Sequence, residues 1–97
     1  MPKARLLRDR KMILADGGIV QIRVWEVLAP VPPSEHRFKY ALYYGKGGER
    51  LVGYDNERGK GDHKHIKGLE LPYMFIDIET LLADFVADVE ALRGEQS

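Results

Sequence analysis

The spacing of apolar residues along this chain changes period once, just before residue 78, and that change dictates what the chain can fold into. Upstream, Val20, Ile22 and Val24 alternate with Gln21 and Arg23. Phe38, Tyr40, Leu42 and Tyr44 alternate in the same way with Arg37, Lys39, Ala41 and Tyr43. A period of two is that of a strand with one buried face. Downstream, Ile78, Leu81, Leu82, Phe85, Val89 and Leu92 recur at spacings of three and four, the stripe of a helix packed along one side. A run of strands followed by one helix can bury both apolar faces only if the helix lies on the sheet.

Turn chemistry divides the strand region. Residues 5–15 and 19–28 flank Asp16-Gly17-Gly18, where glycine reaches positive φ without steric cost, and they read as a hairpin. Pro30, Pro32 and Pro33 make residues 29–36 a connection, because proline has no N–H for a ladder. Lys46-Gly47-Gly48-Glu49 joins the strand from Arg37 to Gly45 to another beginning at Arg50, a second hairpin. Residues 55–71 are polar and read as a loop, followed by a short strand from Leu71 to Ile76. Asp77 suits the N-cap of the helix, Glu79 its first turn and Gly94 its stop. The expectation is an α+β fold: an antiparallel sheet of four to five strands (two hairpins plus a short strand), covered on one face by a C-terminal helix. It forms a single domain over residues 1–97.

The chain has no cysteine, which removes disulfides, thiolate metal sites and cysteine nucleophiles. The basic start, Met1 to Arg5, is followed by an apolar run broken by Arg8, Asp9, Arg10 and Lys11. It is no export signal, and no stretch has the length of a membrane span, so a cytoplasmic protein with no membrane contact is expected. Lys/Arg and Asp/Glu number 15 each, a formal net charge of zero. Residues 1–67 nevertheless carry +14 − 8 = +6 and residues 68–97 carry +1 − 7 = −6. An acidic helix behind a basic sheet leaves a basic face open to phosphates or to an acidic protein.

One segment of that basic part concentrates chemistry: Tyr54-Asp55-Asn56-Glu57-Arg58-Gly59-Lys60-Gly61-Asp62-His63-Lys64-His65. Cutting an RNA phosphodiester without a metal needs a base for the 2′-hydroxyl, an acid for the leaving 5′-oxygen, and cations on the phosphate. His63 and His65 can be acid and base, since histidine titrates near neutral pH, and an extended backbone puts both on one face. Arg58 can hold a phosphate bidentately, Lys60 and Lys64 add point charge, and Tyr54 is an aromatic for RNA. Glu57 or Asp62 can orient a histidine or replace it as base. Asp55, Asn56, Gly59 and Gly61 shape the loop. A metal is the rival reading, with His63 and His65 joined by Asp62 or Asp55. No third remote ligand is identifiable, and Arg58, Lys60, Lys64 and Lys67 oppose a cation, so neither metal nor cofactor is expected. Trp25 reads as partly buried core; Tyr40, Tyr43, Tyr44 and Tyr54 read mainly as sheet packing, with base stacking beside Arg37, Lys39 and Arg50 as their alternative. His36 has no evident partner.

The run Gly53 to His65 resembles the signature of the TumE-like toxin family. The likeness extends to the Asp16-Gly17-Gly18 turn, the Trp25 strand and the proline loop before Phe38-Lys39-Tyr40. It continues through Tyr73 and Phe75 into the helix around Phe85–Asp88. The resemblance implies the toxin of a type II toxin–antitoxin pair, with a helix-turn-helix antitoxin as partner. By analogy with other small toxins, RNA is the expected target and a metal-independent endoribonuclease the expected activity. The alternatives are a non-enzymatic RNA- or protein-binding module, and a nucleotide-dependent RNA-modifying transferase. An exposed sheet edge would also permit a homodimer.

Overall fold

In the computed structural model, which describes residues 4–95, six strands and one helix follow in order. They are β1 (Arg5–Ile13), β2 (Ile19–Glu26), β3 (Phe38–Lys46), β4 (Glu49–Glu57), β5 (Gly61–Ile66), β6 (Leu69–Pro72) and α1 (Ile78–Glu95). The strands form one antiparallel meander in sequence order. Met1, Pro2 and Lys3 of the basic start lie outside the described residues.

The two Gly-bearing turns form where the sequence puts them. Gly17 takes φ 88°, and Gly47 and Gly48 take 62° and 80°, values that a side chain resists. Asp16 completes the first turn by accepting the Gly18 amide at 3.0 Å, which holds its carboxyl below the ordinary range. Asp77 caps the helix as expected, its Oδ1 accepting the Thr80 amide at 2.7 Å.

The expected count of four to five strands is corrected to six. The polar stretch after Glu57 is not a loop but a hairpin, β5–β6, turned by Lys67 and Gly68 at φ 50° and 83°. A two-residue turn with both φ positive matches the twist of the strands it joins. The residues of β5 that face the helix are Asp62, Lys64 and Ile66, so the apolar alternation that marks a strand is missing there. The strand expected over Leu71–Ile76 ends at Pro72. Tyr73 to Asp77 is irregular, yet Tyr73 and Phe75 still pack against the core. The helix also runs past the expected stop at Gly94 to Glu95.

The core lies between α1 and the middle of the sheet. Val20, Val24, Tyr40, Leu42, Tyr44, Val52 and Tyr54 come from β2–β4 and meet Leu81, Phe85, Val89 and Leu92 of the helix. Phe85 meets the Tyr54 ring edge-on at 5.8 Å between centroids. Its burial is worth about 1.5–3 kcal/mol relative to an exposed side chain. Among the described residues, no helix lies over the opposite face of the sheet.

Candidate active site on the open face

Alternation divides the chemical segment between the two faces of the sheet. Tyr54, Asn56, Asp62 and Lys64 lie on the helix side, and Asp55, Glu57, His63 and His65 lie on the open side. Tyr54 pairs with Lys64, Asp55 with His63, Asn56 with Asp62 and Gly53 with His65 across β4 and β5. Arg58, Gly59 and Lys60 form the turn between the strands. The single cluster expected from the sequence is therefore two clusters, back to back.

The helix-side cluster centres on Asp62, whose side chain is 10% exposed. One carboxylate oxygen accepts from Tyr40 Oη at 2.7 Å and His36 Nε2 at 2.7 Å; the other accepts from Ser34 Oγ. Burial pushes the Asp62 carboxyl up, but these three donors outweigh it and hold the group below its ordinary value. His36 finds here the partners that the sequence did not suggest. Its Nδ1 accepts the Phe38 amide at 3.1 Å, so the ring hydrogen sits on Nε2 and points at Asp62, while Phe75 stacks on the ring at 3.9 Å. With both nitrogens occupied, His36 fixes the proline loop to the sheet.

Asn56, fully buried, continues the β3–β4 ladder with its side chain. The last backbone pair is Ala41 with Asp55. Beyond it, Asn56 Oδ1 accepts the Tyr40 amide at 3.0 Å and Nδ2 donates to the Phe38 carbonyl at 2.7 Å. Tyr54 is also buried and donates its hydroxyl to Asp88 of the helix, which Lys64 Nζ also reaches at 3.1 Å. Burial first, then that carboxylate, drives the Tyr54 hydroxyl far above its ordinary pKa. Tyr54 and Lys64 thus tie helix to sheet, away from the open face.

The open-face cluster is built around His63, whose side chain is only 5% exposed. Its Nδ1 lies 2.9 Å from the Gly61 carbonyl, which can only accept, so that nitrogen carries the hydrogen. Its Nε2 lies 2.5 Å from Asp55 Oδ1 and 3.9 Å from Glu70 Oε1. His65 presents its ring edge-on to His63 at 5.1 Å, with its Nε2 3.5 Å from the same Glu70 oxygen. Lys60 Nζ reaches Glu70 as well, at 3.4 Å. A cleft of about 250 Å³ lined by Lys60, Asp62, His63, Glu70, Leu71 and Pro72 leads to the cluster. Glu70 was not singled out in the sequence, because only the β5–β6 hairpin, pairing it with His65, brings it here.

Beside the histidines the sheet is shallow and cationic. Gly45 and Gly53 leave its centre without side chains. Tyr43 lies over Gly45, where an added Cβ would stand 2.5 Å from the phenol ring, and Arg50 lies over Gly53. A second depression of about 220 Å³ is lined by Arg23, Ala41, Tyr43, Arg50 and Asp55, among others. Nothing in the sequence marked Gly45 and Gly53 as space for neighbours, since each also fits an ordinary strand.

This arrangement is spread over strands from most of the chain, and so is its likeness to known sequences. The family model described as Toxin TumE matches residues 3–93. The chain belongs to the TumE toxin family. No curated protein and no solved structure matches it significantly. As a TumE-family toxin it implies an antitoxin partner. Among the described residues of this TumE chain, no helix is long and apolar enough to cross a membrane.

Proposed function

We propose that this chain is the toxin of a type II toxin–antitoxin pair that cuts RNA in the cytoplasm by acid–base chemistry on the open face of its sheet. The observation that carries the reading is the pairing of two adjacent histidines with carboxylates, beside an uncovered basic and aromatic surface. Side chains alone can supply every group the reaction needs.

His65, the more exposed of the two, takes the 2′-hydroxyl proton, and Glu70 stabilises the imidazolium that forms. His63, reached through the cleft at Lys60, is the acid that gives a proton to the leaving 5′-oxygen. The products are a 2′,3′-cyclic phosphate and a 5′-hydroxyl. Arg58 and Lys60 in the turn, with Arg50 on the sheet, hold the phosphates. Tyr43 and Trp25, on the same face by strand alternation, offer surfaces on which bases stack. The acidic helix offsets the basic sheet from behind, so zero net charge is compatible with a polyanion in front. A helix-turn-helix antitoxin is the expected partner.

The test is purified protein incubated with RNA in the presence of a chelator. Fragments with 5′-hydroxyl ends are expected, and His65→Ala should lower the rate by about 10²–10⁴-fold with the circular dichroism spectrum unchanged. Salt-dependent binding without fragments would replace the enzyme by a binding module. Undiminished cleavage by His65→Ala would end the histidine mechanism.

A further inference from the structure

The open-face cluster contains an anomaly that proton transfer alone does not resolve. His63 Nε2 and Asp55 Oδ1 are both buried, and neither has a well-directed hydrogen bond, although they lie 2.5 Å apart. Buried polar atoms in a folded protein have partners, and those without one call for an explanation. The other nitrogen of His63 is tied to the Gly61 carbonyl at 2.9 Å, the outer contact that orients a ligating imidazole and leaves the far nitrogen's lone pair bare.

We propose that His63, His65, Glu70 and Asp55 form a binding site for a divalent transition-metal ion of the zinc class. His63, His65 and Glu70 bring ligand atoms within 4.8 Å of one another, and Asp55 forms a second such group with Glu57 and His63. Zinc bonds of about 2.0–2.2 Å place tetrahedral ligand atoms roughly 3.3–3.5 Å apart. The His65 Nε2–Glu70 Oε1 separation is 3.5 Å and that of His63 Nε2 to the same oxygen is 3.9 Å. Asp55, at 2.5 Å from His63 Nε2, falls in the other group and has to swing toward His65 and Glu70 to join them. Two imidazoles and two carboxylates favour zinc, nickel or copper over magnesium and calcium, which prefer all-oxygen shells.

Access and charge fit as well. Glu70 is 48% exposed and stands at the cleft, so an ion can enter from that side. Lys60, 3.4 Å from Glu70 Oε1, is itself 57% exposed, so it can swing into solvent when the carboxylate turns to an ion. The third ligand that the sequence did not reveal is Glu70, folded back beside His65 by the hairpin. A metal here competes with the proton for the nitrogens on which the proposed cleavage depends. Binding itself requires no RNA, so the site stands or falls separately from that activity.

The test uses the purified full-length chain, stripped with chelator, and no nucleic acid. Calorimetric titration with Zn²⁺ should give one ion per chain, and Zn²⁺ should raise the melting temperature where Mg²⁺ does not. Co²⁺ should give the intense visible bands of a tetrahedral nitrogen–oxygen site. Glu70→Gln, at an exposed position that the fold does not need, should weaken Zn²⁺ binding about tenfold or more, and His65→Ala should do the same. Absence of binding to the wild type, or affinity unchanged in both variants, overturns the proposal.

Discussion

Replacing Asp62 by asparagine tests whether this residue serves the fold rather than the chemistry on the other side of the sheet. Ser34, His36 and Tyr40 all donate to its carboxylate, and the side chain is 10% exposed. A hydrogen bond to a charged acceptor contributes about 1.5–3 kcal/mol net, against about 0.5–1.5 for a neutral one. Asp62→Asn keeps the shape but removes the charge from three bonds, roughly 1 kcal/mol each, so the loss is about 3 kcal/mol. In a domain of this size each kcal/mol moves the melting temperature by about 4–8 °C, and the expected drop is about 12–24 °C. The pH dependence fixes the mechanism. The folded carboxyl is held below its ordinary value, so its contribution is complete above the unfolded pKa of about 3.9. It disappears as pH falls through the folded value. The gap between wild type and variant, read from thermal melts of purified protein, should therefore be widest near neutrality and close below about pH 4. Equal melting temperatures at pH 7, or a gap that persists unchanged at acid pH, would refute the reasoning.

Two further substitutions probe the same end of the sheet. Asn56→Ala removes the side chain that stands in for the β3–β4 ladder, leaving the Tyr40 amide and the Phe38 carbonyl without it; at about 1–3 kcal/mol per stranded buried group, denaturant titration should show a loss of about 2–6 kcal/mol. Gly61→Ala should destabilise by about 1 kcal/mol or more, because φ is 76° there and the new Cβ would stand 3.0 Å from Pro33 Cγ. The outlying Gly59→Ala, with φ 88° and open space around it, should show the backbone part of that cost alone.

What was legible in the sequence follows from how each element satisfies itself. β2, β3 and α1 bury apolar side chains on one face, so their periods appear in the text of the chain. β5 does not. Two of its three helix-facing positions are polar: Asp62, satisfied by Ser34 and His36 of the proline loop and by Tyr40 of β3, and Lys64, satisfied by Asp88 from the helix. Such partners replace the hydrophobic pattern with a tertiary one that local sequence does not display. The same reason hid Glu70 and the role of His36, each of which acquires its partners only when β5 pairs with β6 or the proline loop folds back. The chemistry-bearing segment was visible by composition; its division between two faces depended on its being a hairpin.

That division bears on how the signature from Gly53 to His65 is to be interpreted. Read as a list, it looks like a dozen candidates for one reaction. Alternation assigns four of them to the core side, where Tyr54, Asn56, Asp62 and Lys64 lock the helix and the proline loop to the sheet. Their strand neighbours Asp55, His63 and His65 face the other way and carry no helix. A polar network that is satisfied on one side of a strand rigidifies the backbone that both sides share. The histidines on the open face are thus held by contacts on the other side of the sheet. A loss of activity in a variant of the helix-side residues should consequently track its loss of stability, whereas a variant of His65 should separate the two.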